Sequence, residues 1–366
     1  MNGKSKILMY LTAVLLILMT VLLSGCGGMD GSGHSKLSDN AERIAEYSGD
    51  YVPAFIEKSE NNWYVIYQKY NEENYTLSVG ENPEDINVKH IGSGQIMNLS
   101  VDGDLAAWAE RSDSQLSINY YNASDDGVVT ILTLPEREDY QQGKVYVRGG
   151  KVFYQTIDHA EKVFRILCYD TADESTKTLA EETFDPSAFG GCFAMRDDIL
   201  LYQNTGAGGE SELSLLDTST GQTERAALPE GVDVLYDADV NGSTVAVYYY
   251  DKREGSDNWN QSDNIAVFEK GQKDVIPFYT FPKTSSGDIV GYAYRDNIVL
   301  SGDDVLWIDQ MNVSGDVADH YKLTVYDSIE DEPAEVPAAY YYMMDGDDLY
   351  WLCFIDGIQK AELFRR

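Results

Sequence analysis

The chain has 366 residues, 43% of them hydrophobic and 12% aromatic, which is a globular composition with material for a large core and too apolar for a disordered chain. Its 62 acids against 27 bases give a formal net charge of −35, so nucleic acid phosphates and anionic lipid headgroups repel it, which argues against nucleic-acid binding. The charge suits solubility in an exposed environment without invoking a specific cationic partner.

Residues 1–25 read as a segment apart. Lys4 and Lys6 precede an almost unbroken apolar run from Ile7 to Leu23, and the sequence "LSGC" closes it at Cys26. A basic start, an apolar middle and small residues before a cut describe a secretory leader. An uncleaved membrane anchor is the competing reading of such a run, and the cysteine decides between them. "LSGC" resembles the lipobox of bacterial lipoproteins. The resemblance implies cleavage before Cys26, lipidation of its thiol and new amino group, and an extracytoplasmic protein lipid-anchored to the bacterial cell membrane. Losing the leader removes two lysines and no acid, which takes the charge to −37. After Cys26, which opens the segment 26–40, the stretch "GGMDGSGHSKLSDN" (27–40) is small and polar and reads as a flexible tether.

From residue 41 to 366 one pattern recurs. "VDGDLAAW" (101–108), "RGGKVFY" (148–154), "RDDILLY" (196–202), "VNGSTVAVY" (240–248), "SGDDVLW" (301–307) and "MDGDDLYW" (344–351) each set Gly, Asp or Asn before a short strand carrying an aromatic, and "SENNWYVIY" (59–67) is a weaker version. Aligned on Tyr67, Trp108, Tyr154, Tyr202, Tyr248, Trp307 and Trp351, the units are spaced by 41, 46, 48, 46, 59 and 44 residues. Each unit runs apolar strand, tight turn, aromatic strand, variable loop, alternating strand, and in the middle units a further turn and strand. Period-2 alternation bounded by turn residues is the signal of strands and hairpins. Four antiparallel strands repeated seven times describe an all-β single β-propeller, with six or eight blades left open by the 59-residue interval. The last unit lacks a fourth strand, and "AERIAEYSG" (41–49) is placed to supply it, so that the two termini close the ring and hide its edges.

The acids of "MDGDD" read as turn residues. Counted from Asp345 as a calcium loop, Leu349 and Tyr350 fall where an oxygen ligand and a glycine are needed. Cys168, Cys192 and Cys353 lie in apolar contexts and read as buried free thiols, with a Cys168–Cys192 bridge as the alternative. The "YD" and "LDTSTG" hairpins resemble those of the broad TolB-like and YWTD-like propeller group. The tryptophan-aspartate and double-glycine signatures of other propeller groups are missing, and a fold that hosts enzymes and binding modules alike leaves function open.

The connections between second and third strands, and between one unit and the next, share one face and are the long ones: 135–143, 251–264, 281–291 and 309–320. Functional residues collect on such loops when a rigid scaffold holds them. Trp259, Tyr140, Arg253, Asn260, His159 and Asp309 combine aromatic surface with hydrogen-bonding groups there, a set suited to a sugar or peptide. No nucleophile elbow, zinc-protease helix, phosphate loop, sialidase box or appended hydrolase domain is found. His90, His159 and His320 are scattered, and neither metal nor cofactor is expected. The sequence thus favours a monomeric, non-enzymatic binding or assembly module for a protein or glycan at the cell envelope. The alternative is a propeller glycoside hydrolase or lyase with carboxylates in the central funnel.

Overall fold

The computed structural model describes residues 41–366 apart from 50–51, 61, 69–73, 113–114, 136–143, 186–190, 206–210, 254–261, 284–290, 312–315, 328–331 and 356–357. Its strands form seven four-stranded antiparallel sheets, the blades of a propeller. After β1 (Glu42–Ser48), blade one takes β2 (Val52–Ser59), β3 (Asn62–Gln68), β4 (Asn74–Gly80) and β5 (Asn87–Ser93). Blade two takes β6 (Gln95–Asp102), β7 (Leu105–Arg111), β8 (Gln115–Asn122) and β9 (Gly127–Pro135). Blade three takes β10 (Val145–Arg148), β11 (Lys151–Asp158), β12 (Val163–Asp170) and β13 (Ser175–Thr183). Blade four takes β14 (Phe193–Arg196), β15 (Ile199–Thr205), β16 (Ser211–Asp217) and β17 (Thr223–Ala227). Blade five takes β18 (Val234–Asn241), β19 (Thr244–Tyr250), β20 (Asp263–Glu269) and β21 (Tyr279–Thr280), and blade six takes β22 (Gly291–Ser301), β23 (Asp304–Met311), β24 (Tyr321–Asp327) and β25 (Glu332–Pro337). Blade seven combines β26 (Ala339–Asp345), β27 (Asp348–Phe354) and β28 (Lys360–Arg365) with β1, which pairs antiparallel to β28 from Glu42↔Arg365 to Ser48↔Lys360. The ring therefore closes through its termini, as the missing fourth strand implied.

The second strand of each blade is the one that carries the aligned aromatic, and it is buried on both faces between neighbouring blades. Strand β7, "LAAWAER", is buried at its first five positions, which is why these strands read as continuous apolar runs. Trp108, Trp307 and Trp351 are fully buried, and Tyr154, Tyr202 and Tyr248 nearly so. Each fills space between blades, so truncating one to alanine would cost about 3–5 kcal/mol. Outermost strands such as β13 are largely exposed, which suits their charged sequence.

Two-residue turns join first to second strands in all seven blades. Their first residues, Glu60, Gly103, Gly149, Asp197, Gly242, Gly302 and Gly346, all have φ between 50° and 62°. Primed hairpin turns need that left-handed conformation, which accounts for the glycine and aspartate punctuation of the repeat. "MDGDD" is one of them: Asp345 pairs with Asp348 across Gly346, Lys58 ion-pairs with Asp345, and Arg365 holds Asp348 at 2.7 Å. The 59-residue interval contains three long connections, 251–262, 270–278 and 281–290, and no additional blade among the described residues.

Blades are also joined by polar side chains that cap the main chain of the next blade. Asn98 bonds both the N–H (3.1 Å) and C=O (2.8 Å) of Val145, Ser100 Oγ accepts from Val147 N at 3.1 Å and Asp102 from Gly149 N at 2.7 Å. A buried Gln203 amide accepts from Leu235 N at 3.2 Å and donates to Asp233 O at 3.3 Å. Gln68 makes the equivalent pair of bonds to Ile96 N (3.5 Å) and Gly94 O (2.8 Å). The three cysteines of the described residues are free and buried, so Cys168 and Cys192 are not bridged.

Candidate functional site

The innermost strands β2, β6, β10, β14, β18, β22 and β26 surround the propeller axis, and a charged network links several of them. Lys144, just before β10, donates to Asp237 Oδ1 of β18 at 2.9 Å, and Ile298 N of β22 donates to Asp237 Oδ2 at 2.8 Å. Asp239 Oδ2 accepts from Leu300 N at 2.7 Å and from Arg196 Nη1 of β14 at 3.2 Å, and the same Nη1 donates to Leu300 O at 2.9 Å. Two of these bonds skip a blade, Lys144 to Asp237 from three to five and Arg196 to Leu300 from four to six, while the others join neighbouring blades. Tyr146 OH donates to Phe193 O at 3.2 Å and Tyr342 OH to Leu306 O at 3.0 Å.

Burial dominates the electrostatics here. It pushes the Asp239 carboxyl up to about 6 against the pull of the Arg196 guanidinium and of the N–H groups of Leu300 and Val240. The Tyr146 and Tyr342 phenols are driven well above their ordinary value for the same reason. On β2, Glu57 is raised to about 7, first by burial and further by Asp345, while the Tyr341 hydroxyl that donates to it at 2.6 Å pulls the other way. Two carboxyls thus titrate near neutrality, on blades one and five, and each accepts an internal hydrogen bond. Such an arrangement stiffens the ring, because removing either acid would strand a buried donor.

The long connections at 251–262 and 312–320 join second to third strands, and those at 136–144 and 281–290 join one blade to the next, as the repeat implied, but the third-to-fourth connection of blade five, 270–278, is long as well and lies on the other face. Of the candidate residues, Trp259, Tyr140 and Asn260 lie outside the described residues, as does Cys26. Arg253 sits at the root of the 251–262 connection. It holds the fully buried Asp251 through Nε (3.1 Å) and Nη2 (2.8 Å) and lies flat on Gly231, where a Cβ would come within 2.2 Å of Nη2. Glycine at 231 is what lets the guanidinium anchor the loop.

Asp309 is also fully buried. Its Oδ2 accepts from Thr324 Oγ1 at 2.8 Å and lies 3.5 Å from Lys322 Nζ, which in turn reaches Glu335 at 2.6 Å. Glu110 holds the matching place in blade two, two residues beyond the aligned tryptophan, and accepts from Tyr75 OH at 2.7 Å. His159 packs edge-on against Phe184, with ring centroids 5.5 Å apart, and its Nε2 is buried without a hydrogen-bond partner. The adjacent Asp158 caps its own turn through the N–H groups of Ala160 and Glu161. Arg253, Asp309 and His159 therefore stand at loop roots and blade interfaces, and the structure does not bring them together by any bond.

Sequence reading passed over Lys144, Arg196, Asp237, Asp239 and Glu57. A signal for the aspartates was present: "YDADV" places two acids at i and i+2 in an apolar strand, hence on one buried face.

No family model and no curated protein matches this sequence. Solved structures do resemble it in fold. The propeller domain of the Trilobed protease from Pyrococcus furiosus, described as having an open velcro topology, aligns with a TM-score of 0.55 at 10% identity over 87% of this chain and 94% of that one. Here the pairing of β1 with β28 shuts the ring. An acylaminoacyl peptidase from Pyrococcus horikoshii aligns with a TM-score of 0.54 at 12% identity over 87% of this chain, which spans only 52% of that protein. At such identities the likeness establishes a seven-bladed propeller and carries no activity across.

Proposed function

We propose that the chain is an extracytoplasmic lipoprotein, anchored through Cys26, whose propeller is a non-catalytic binding and assembly module engaging a protein or glycan by its long-loop face. The observation that carries this reading is the contrast between the two sides of the ring. On one face all seven first-to-second connections are two-residue turns and 270–278 is the one long connection named there, while the other face bears the remaining long connections, rooted by pairs such as Arg253 with the buried Asp251. Length on a rigid scaffold is where binding residues collect. A glycan and cell-wall-fragment array on the mature protein tests it. Saturable binding that Trp259→Ala removes supports a carbohydrate site on that face. Binding that survives in the variant belongs to a site off that face, and the lack of any binding that depends on Trp259 counts against a carbohydrate site there and directs the search to a protein partner by crosslinking on intact cells.

The hydrolase or lyase alternative draws on the raised carboxyls of Glu57 and Asp239. Against it, both are held by internal donors, and their blades are not neighbours in the ring. Loss of a measured glycosidic cleavage in Glu57→Gln, with the fold kept, would turn the assignment toward catalysis.

A further inference from the structure

A cavity of about 390 Å³ opens between blades one and two on the face of the two-residue turns. Asn62 at the start of β3, Glu81, Asn82 and Asp85 from the β4–β5 connection, and Asn87 of β5 line it, facing Ala123 at the end of β8. That connection runs over residues 81–86, longer than the corresponding 123–126 and 171–174 of blades two and three and shorter only than 270–278 of blade five among those described. The extra length builds a wall.

The wall is fixed in place. Glu84 is turned away from the cavity to accept from Glu46 N at 2.8 Å, and Tyr47 OH donates to Pro83 O at 3.2 Å, so the closing strand β1 pins the connection from behind. At Gly80 a Cβ would lie 2.3 Å from Asp85 O, so the connection folds back over a residue that has to be glycine. On the opposite side Asp126 takes both Lys89 Nζ (2.9 Å) and Tyr121 OH (2.8 Å). Lys89 also lines the cavity, its charge met by Asp126, while Glu81 and Asp85 have no ion-pair partner among the described residues.

The volume is that of a small-molecule site, larger than an ion needs. Among the described residues no three His, Cys, Asp or Glu side chains converge as a metal would require. Three carboxamides offer a donor and an acceptor each, and the two carboxylates accept from hydroxyl or ammonium groups. Val79 and Ala123 add a small apolar patch. We propose that this cavity binds a hydroxylated ring bearing a cationic group, a hexosamine-type sugar, with Glu81 and Asp85 meeting the ammonium and Asn62, Asn82 and Asn87 the hydroxyls. The site is independent of the long-loop face.

The test titrates glucosamine, glucose, glucuronate and calcium chloride against the mature protein in a detergent without sugar groups, read by saturation-transfer NMR for the sugars and calorimetry for the ion. Glucosamine binds saturably, glucose about three- to fivefold more weakly and glucuronate not at all, the ratio being what an exposed charge contact contributes. Glu81→Gln with Asp85→Asn brings glucosamine down to the level of glucose, Asn82→Ala weakens both, and Trp259→Ala changes neither. The proposal is overturned by glucuronate binding as well as glucosamine, by glucosamine binding indifferent to the cavity variants, by calcium binding alone, or by no saturable sugar binding. The Trp259→Ala arm reads the other face separately, so failure here leaves that reading standing.

Discussion

Replacing Asp239 with asparagine separates a structural acid from a chemical one. In the folded protein Asp239 Oδ2 accepts from Leu300 N and Arg196 while Oδ1 accepts from Val240 N at 2.8 Å, and burial raises its carboxyl from 3.8 to about 6. Because the folded value lies above the unfolded one, the folded state retains a proton that the unfolded chain has released. The contribution to stability is complete below pH ~4 and is lost as pH rises through about 6. Two pKa units correspond to about 2–3 kcal/mol. Asparagine has no charge to bury at any pH, and its amide keeps one acceptor for Leu300 N. Urea unfolding followed by the fluorescence of the buried tryptophans, at a series of pH values from 4 to 7.5, should show the native protein losing about 2–3 kcal/mol relative to Asp239→Asn across that range. Glu57 titrates in both proteins and cancels in the difference. Parallel profiles would refute the assignment of Asp239 as a buried, high-pKa staple between blades five and six.

Other outcomes follow from the same geometry. Gly302→Ala should cost about 1–2 kcal/mol through its left-handed backbone alone, since a Cβ there meets nothing within 4 Å, and Glu60→Gly should return up to ~1 kcal/mol at the equivalent turn, both read by thermal melting. Gln203→Leu should destabilise by about 1–3 kcal/mol because it strands Leu235 N, and Gln68→Leu by less, its bond to Ile96 N being 3.5 Å and partly exposed. Melting temperature should be the same with and without reductant, given three free buried thiols. Cys26→Ser should abolish incorporation of labelled fatty acid in cells, while labelling that persists would remove the anchor from the account.

The turn-and-aromatic rhythm was legible because both halves answer to local physics. A primed hairpin turn demands Gly or Asp, and a strand buried on both faces demands a continuous apolar run with a large ring at its centre. The closing strand could be read because a three-stranded last unit leaves an edge to cover. What escaped was everything that depends on the ring being closed. Lys144 and Asp237 are 93 positions apart and Arg196 and Leu300 are 104 apart, so no local window contains either contact. Arg253 and Asp309 were read as loop residues, and the ion pairs they make, Arg253 over the buried Asp251 and the buried Asp309 beside Lys322, could not be read from the loops themselves. The recurring "YQ" at 67–68, 154–155 and 202–203 was visible in the sequence, and at two of the three sites it is a clamp on the next blade.

The claim that partners are met on the long-loop face is tested most directly by placing a photo-crosslinking amino acid at position 259 and, separately, at position 129, a 40% exposed residue on the outer strand of blade two, and irradiating intact cells. The account predicts a discrete crosslinked species from position 259 and none from 129. Crosslinking from 129 with none from 259 would contradict it and move the binding surface to the blade edges.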